Sequence, residues 1–241
     1  MIKEEHIHQY SMGPNPIRLL DWNLENVSLD AEAVVLDLGC GQGLSTIHLI
    51  EKYGCKIVAL EKWTNITDVW SNLRTFGVED SAIPIQGDAR NLPFPKAYFS
   101  HVIATDSYIY FGTDDTYAPY IWQFLAPDGL LCFTVPGFNK DVKGQNHLPK
   151  HLEPFFDDEC WTWHTRDWWR TLIERTGRFE VLEAKLMPDS FEFWKSHYLR
   201  RGEYRKETGQ SFENDEKDLA VVEEDQGEYL GFIKIVAKKR P

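Results

Sequence analysis

The chain has 241 residues, 42% of them hydrophobic and 14% aromatic, and 38 Asp and Glu against 26 Lys and Arg give a net charge of −12. That length and apolar content can build one substantial core, whereas a surface of this sign lacks the clustered cations that a nucleic-acid polymer requires. Cys40, Cys55, Cys132 and Cys160 are scattered without a C-x-x-C pair, so neither a zinc site nor a disulfide framework is expected, and a reducing compartment fits.

Residues 1–9 are polar and charged, without the apolar centre of a signal peptide, and no apolar run reaches the length of a membrane span; a cytoplasmic location is expected. Ile17, Leu20, Leu24 and Val27 then fall at helical spacing behind Pro14-Asn15-Pro16, which predicts an amphipathic helix. The following stretch carries the strongest signal. Val34 to Leu38 is a short apolar run, Gly39-Cys40-Gly41-Gln42-Gly43 a tight turn, and residues 45–53 read as a helix. Glycine reaches positive φ without steric cost and lets a ligand approach the backbone, and the helix start offers unpaired N–H groups. A dinucleotide-binding turn would place its third glycine where Leu44 stands. Asp37, two residues before the first glycine, would repel a pyrophosphate and hold an ammonium group.

Lys56 to Glu61 reads as a second buried strand, and an acid at such a strand tip, roughly twenty residues past the glycine turn, can accept both hydroxyls of a ribose. Trp63 heads the next helix, either against a ligand ring or in the core, and Gly77 closes that helix. Residues 82–90 form a third strand and its exit. The fourth, Phe99 to Thr105, runs into Asp106-Ser107-Tyr108, which faces the reacting centre because open α/β sheets bind ligands beyond the carboxyl ends of their strands. A helix over 115–125, a strand over 130–135, an irregular segment over 136–164, a helix over 166–176 capped by Thr165, a strand over 180–187, helices within 191–224 and a last strand over 228–238 complete the reading.

Asp37, Gly39, Gly41 and Gly43 match the D-x-G-x-G-x-G motif, and on it the chain resembles the class I S-adenosylmethionine-dependent methyltransferases. Gly87-Asp88-Ala89, followed by Leu92-Pro93-Phe94, resembles the family's third motif, and residues 125–131 repeat its L-x-P-x-G-x-L pattern. The resemblance implies an α/β fold: a doubly wound, seven-stranded, mostly parallel sheet with an antiparallel last strand and helical insertions. Residues 1–30 would form an N-terminal cap over a methyltransferase domain at 31–241, with insertions at 136–164 and 189–226 that, together with the cap, wall the substrate site. It implies S-adenosylmethionine as cofactor and S-adenosylhomocysteine as product. The implied cofactor contacts are Asp37, Gly39, Cys40, Gly41, Gly43 and Ser45 at the glycine loop that wraps the methionine part, Glu61 on the ribose with Lys62 beside it, and Trp63 against the adenine. Asp88 and Ala89 would meet the adenine, with Thr105 and Tyr10 closing the site.

A sulfonium is already a good leaving group, so such a protein mainly holds a nucleophile in line with the methyl carbon and excludes water. An amine or hydroxyl acceptor also needs a base, for which Asp106, Tyr108, His147 and His151 are candidates. His147 and His151 are four residues apart, but Pro149 opposes a helix and no third ligand is evident, so no metal is expected. Tyr108, Tyr110, Phe111, Tyr117 and Tyr120 on one side, and Trp161, Trp163, Trp168 and Trp169 on the other, suit a cationic amine or a flat or lipidic acceptor, Trp168 and Trp169 equally a core. No Asn-Pro-Pro-Tyr follows strand four and no Pro-Cys occurs, which argues against DNA methylation. The expected activity is methyl transfer to N, O or C of a small molecule by in-line displacement. The alternatives are a non-catalytic S-adenosylmethionine-binding protein of the same fold, a protein methyltransferase, and a nucleotide-dependent oxidoreductase disfavoured by Leu44 and Asp37. The partners expected are the methyl acceptor and, at most, a second copy of the chain in a homodimer.

Overall fold

The computed structural model describes residues 1–144, 148–153 and 160–241. The apolar strands β1 (Val34–Leu38), β2 (Lys56–Glu61) and β4 (Phe99–Thr105) are buried on both faces. Such strands need helices above and below, and parallel pairing is the usual solution. β1 accordingly lies between β2 and β4, with Val34 opposite Lys56 and Val35 opposite His101. With β3 (Ala82–Gln86), β5 (Leu125–Phe138), β6 (Phe179–Leu186) and β7 (Leu230–Lys239) they form one sheet in the order β3-β2-β1-β4-β5-β7-β6. β7 runs antiparallel to both of its neighbours. The winding direction reverses between β1 and β4, and a crevice opens there at the carboxyl ends of the strands.

Alternate residues feed two apolar layers. Val35, Ile57, Ala59 and Ile103 face α2 (Pro16–Asn23), α3 (Leu44–Tyr53) and α4 (Ile66–Thr75), whereas Leu36, Val58, Val102, Phe133 and Phe232 face the layer containing α5 (Tyr117–Trp122) and α6 (Arg166–Arg175). Asn15 starts α2 by accepting from the N–H groups of Ile17 and Arg18 at 3.1 and 3.2 Å, with Pro16 in the first turn, where no N–H is missed. That helix ends at Asn23, before the Leu24 and Val27 of the predicted pattern. Thr165 caps α6 by accepting from Trp168 N–H at 3.3 Å.

Two features differ from the sequence reading, the helix before α2 and the extent of β5, whereas helices are present after residue 189 as expected. A short helix, α1 (Glu4–Tyr10), precedes α2 in a stretch too polar to announce itself. β5 spans Leu125–Phe138, so residues 136–138 of the supposed insertion are strand, with Pro136 opposite Phe232 and Phe138 opposite Leu230. Pro136 is tolerated because β4 ends at Thr105, opposite Thr134, which leaves that side of β5 without a ladder to break. Residues 189–226 hold two helices, α7 (Ser190–Glu207) and α8 (Glu213–Asp225), packed on each other over the crevice. Among the described residues no helix is long and apolar enough to cross a membrane.

Candidate active site

The turn after β1 has Gly39, Gly41 and Gly43 at φ of +81°, +55° and +91°. A side chain on Gly39 would stand 2.6 Å from Ser107 Cβ, and one on Gly41 would press on Met12 Sδ. The turn is therefore bare backbone, closed against β4 by Ser107 Oγ–H donating to Leu38 O at 2.6 Å. Beneath it Asp37 is fully buried and accepts from the hydroxyls of Ser45 and Thr46 at 2.7 and 2.6 Å through Oδ2. Its Oδ1 has no partner among the described residues. Burial pushes this carboxyl up to about 6 against the opposing pull of the two hydroxyls.

Glu61, at the tip of β2, is nearly buried and ties two loops together. Its Oε2 accepts from Gly41 N–H at 2.9 Å, and its Oε1 from the N–H groups of Trp63 and Thr64 at 2.6 and 3.1 Å. Trp63 is 62% exposed and sets its ring edge-on to Tyr110 at 4.7 Å, so it stands at the crevice and not in the core of α4. Lys62 donates to Asp88 at 2.7 Å, and this bond, helped by Arg90 N–H, holds the Asp88 carboxyl below its usual range. Ala89 is pinned by Tyr117, whose hydroxyl donates to its carbonyl at 3.1 Å.

These groups line a cavity of about 810 Å³. Tyr10, Met12, Gly13 and Pro14 roof it, and Thr105 and Asp106 meet it at the end of β4. Asp106 adopts φ +57°, a strained conformation for a residue with a side chain, and its carboxylate packs so closely on Gly13 that any side chain there would collide. Beyond Asp106 the cavity continues between Trp163, Trp194, Tyr198 and Phe232. Its far wall holds a buried ion cluster. Arg201 grips Asp215 with two bonds of 3.0 and 2.6 Å, Arg205 reaches the same carboxylate at 2.9 Å, and Arg201 also donates to Gly13 O at 2.7 Å. Tyr198 donates to Asp218 at 3.0 Å, whose carboxyl burial pushes up.

A family model described as a methyltransferase domain matches residues 35–129, the span from β1 through the start of β5 that contains the glycine turn, Glu61, Asp88 and Asp106. Residues 35–129 are thus a methyltransferase domain, and the sheet order with its antiparallel last strand is that of the class I S-adenosylmethionine-dependent methyltransferase fold. The comparison with curated proteins gives no match for this methyltransferase. Among solved structures it is similar to the [4+2]-cyclase SpnF, with a TM-score of 0.70 and 18% identity over 92% of this chain and 80% of that one. It is also similar to the phosphoethanolamine N-methyltransferase 2 of Haemonchus contortus in complex with S-adenosyl-L-methionine, at 0.74 and 15% over 96% and 54%. A third is the geranyl diphosphate C-methyltransferase of Streptomyces coelicolor A3(2) in complex with Mg2+, geranyl diphosphate and S-adenosyl-L-homocysteine, at 0.68 and 14% over 92% and 79%. At these identities the likeness is one of fold.

S-adenosylmethionine is the cofactor of this family, and the cleft suits it. The glycine turn keeps clear a space that no side chain could share, and Thr105 Oγ1, on the cleft wall and nearly buried, has no protein partner among the described residues. Cys40 lines the same wall with a thiol that burial pushes far up, which leaves it inert as a nucleophile.

Two predicted catalytic residues of the methyltransferase lie elsewhere. Tyr108 is fully buried, stacked on Phe133 at 4.1 Å, with its hydroxyl unpartnered and held well above its ordinary titration range by burial. The single 3₁₀ turn at Tyr108–Tyr110 rotates it inward while Asp106, Ile109 and Tyr110 face the cavity. His151 pairs with Asp225 at 2.9 Å on the end of α8 and lies outside the cavity, because its own 3₁₀ turn seats on that helix. His147 falls outside the described residues. Trp169 is core and Trp168 stacks on His164 at 3.4 Å, while Asp37 and Gly43 lie behind the cleft wall. The residues that sequence reasoning missed are Trp194, Tyr198, Arg201 and Arg205. Their spacing of four, three and four along α7 marks one helix face, a signal hidden because that face mixes aromatic and charged side chains.

Proposed function

We propose that this methyltransferase modifies a small molecule, held between Asp106 and the aromatic wall of α7, at an N, O or C nucleophile. The observation that carries the reading is the single cavity of about 810 Å³ running from the glycine turn to Trp194 and Tyr198. A volume of that order accommodates a nucleoside cofactor and a small acceptor end to end, and leaves little room for a polymer segment. The geranyl diphosphate and phosphoethanolamine enzymes among the structural neighbours are named for small-molecule acceptors, which supports the same reading.

When bound, the cofactor supplies an electrophilic methyl group on a sulfonium. The bare turn at Gly39 and Gly41, with Cys40 and Ser45, would receive its methionine part, while Asp37 and Gly43 support that turn from behind and the Asp37 charge would attract the ammonium through it. Glu61 would receive the ribose hydroxyls, already oriented by three backbone N–H groups, while Trp63 and Ala89 border the adenine. Asp88, kept ionised by Lys62, would accept from the adenine amino group. Thr105 and Tyr10 close the site around the reacting centre, and the roof at Met12 and Gly13 excludes water.

Asp106 stands where the two halves of the cavity meet. Its carboxylate would hold the proton released by an amine or hydroxyl acceptor, or anchor the acceptor's positive charge. Calorimetric titration with S-adenosylmethionine and S-adenosylhomocysteine, with NADH as control, tests the cofactor half; micromolar binding of the first two alone is expected. A screen of amines, phenols and prenyl acceptors with Asp106→Asn beside the wild type tests the other half. Full turnover in that variant would remove Asp106 from the mechanism.

A further inference from the structure

At the opposite end of the sheet, where β4, β5 and β6 begin and β7 ends, a second cavity of about 500 Å³ is lined by Lys96, Pro119, Trp122, Gln123, Arg178 and Lys239. β4 runs from beside this cavity to the catalytic cleft, a separation of roughly 20 Å for seven residues of strand. Its walls are built and not incidental. Trp122, at the end of α5, donates its indole N–H to Arg240 O at 3.0 Å, which fixes the ring against the carboxyl-terminal tail. The Arg178 guanidinium lies 4.6 Å from the centre of that ring and the Lys239 ammonium 4.1 Å. Ala97 N–H and Tyr98 N–H bond to Gln123 O and Phe124 O at 2.8 and 2.9 Å, which holds the turn bearing Lys96 against α5.

The charges here are unusual for this chain. Acids outnumber bases by 38 to 26, and two cations close in sequence to the lining residues are paired, Lys238 with Asp128 at 2.8 Å and Arg175 with Asp115. Among the described residues no carboxylate lies within salt-bridge distance of Lys96, Arg178 or Lys239. Three cations that line one cavity without a carboxylate partner set up a local positive potential that an anion between them relieves. Burial alone holds the Lys239 ammonium below its ordinary value, consistent with a cation that lacks a carboxylate. Arg178 lies over Trp122 and brings guanidinium donors to the cavity, Lys96 adds a point charge, and the Lys239 ammonium, anchored by donating to Leu125 O at 2.5 Å, adds its field, a set that suits a tetrahedral oxyanion. The cavity exceeds a bare phosphate, and its remaining wall of Ala97, Pro119 and Trp122 is apolar. The positive field is also small, hemmed by paired charges on an acidic molecule, which disfavours a polyanion.

We propose that this cavity binds the phosphate monoester of a small organic molecule, with the phosphate held by Lys96, Arg178 and Lys239 and the organic body against Pro119 and Trp122. The test is calorimetric titration of the full chain with phenyl phosphate and, separately, inorganic phosphate. One site for phenyl phosphate is expected, weakened by added salt and tighter than that for inorganic phosphate. Arg178→Gln and Lys96→Gln, both at exposed positions, should each lower its affinity roughly tenfold. S-adenosylhomocysteine binding and thermal midpoint should stay at the wild-type values in both variants. Absence of heat with phenyl phosphate, equal affinity for inorganic phosphate, or unchanged binding in both variants overturns the proposal. So does a single-stranded oligonucleotide that binds more tightly than phenyl phosphate through the same two residues.

Discussion

Asp37 and Glu61 stand on the neighbouring strands β1 and β2, and both support the glycine turn. Glu61 clips the turn to the next loop through backbone donors, and Asp37 supports it from below with an unfilled oxygen. Replacing either by Ala should weaken S-adenosylhomocysteine binding by one to two orders of magnitude, the scale of roughly 1.5–3 kcal/mol for a hydrogen bond to a charged group, as read by calorimetry. Asp37 also predicts a pH dependence. Its folded value of about 6 lies above the ordinary 3.8, so the native state binds the proton more tightly than the unfolded chain does. The contribution is complete below about pH 4 and is lost as pH rises through about 6, at most on the order of 3 kcal/mol. The ligand-free wild type should lose stability relative to Asp37→Asn over that window in paired urea titrations; parallel curves would contradict the assignment. Tyr108→Phe removes only an unpartnered buried hydroxyl, so activity should persist and stability hold or rise by about 1 kcal/mol.

At the scale of elements, the cavity is closed by two pieces of chain far apart in sequence. Residues 10–14 lie over the glycine turn, and Arg201 on α7 reaches both the Gly13 carbonyl and Asp215 on α8. Each partner of that ion pair is under 5% exposed, so Asp215→Ala would leave two guanidinium groups facing a vacated site. A loss of about 3–5 kcal/mol in denaturant unfolding is expected, with faster proteolytic cleavage within residues 1–14 in the native protein. This connection was not legible in the sequence. Strand pairs follow from local apolar runs, whereas the contact of Arg201 with Gly13 spans 188 residues and depends on the order in which the sheet is wound.

For the whole molecule, ligand linkage gives the broadest check. S-adenosylhomocysteine at 100 times its dissociation constant should raise the unfolding free energy by about 2.7 kcal/mol, and a thermal midpoint unmoved by saturating ligand would argue against an open cleft. The amino-acid sequence by itself determined the central parallel strands, the glycine turn after β1 and the capped start of α6. In each case the signal is local: an apolar run, residues that tolerate positive φ, or a hydroxyl beside a helix start. It also brought Glu61, Asp88 and Asp106 to one end of the sheet, since strand tips of a parallel sheet share an edge. Only the tertiary structure decided which aromatic side chains face the cavity. Tyr108 and Tyr110 are two residues apart in one 3₁₀ turn, yet one fills the core and the other lines the cleft. His151 was drawn away to Asp225, and α7 supplied the acceptor wall, because both depend on packing partners distant in the chain, which no local pattern encodes.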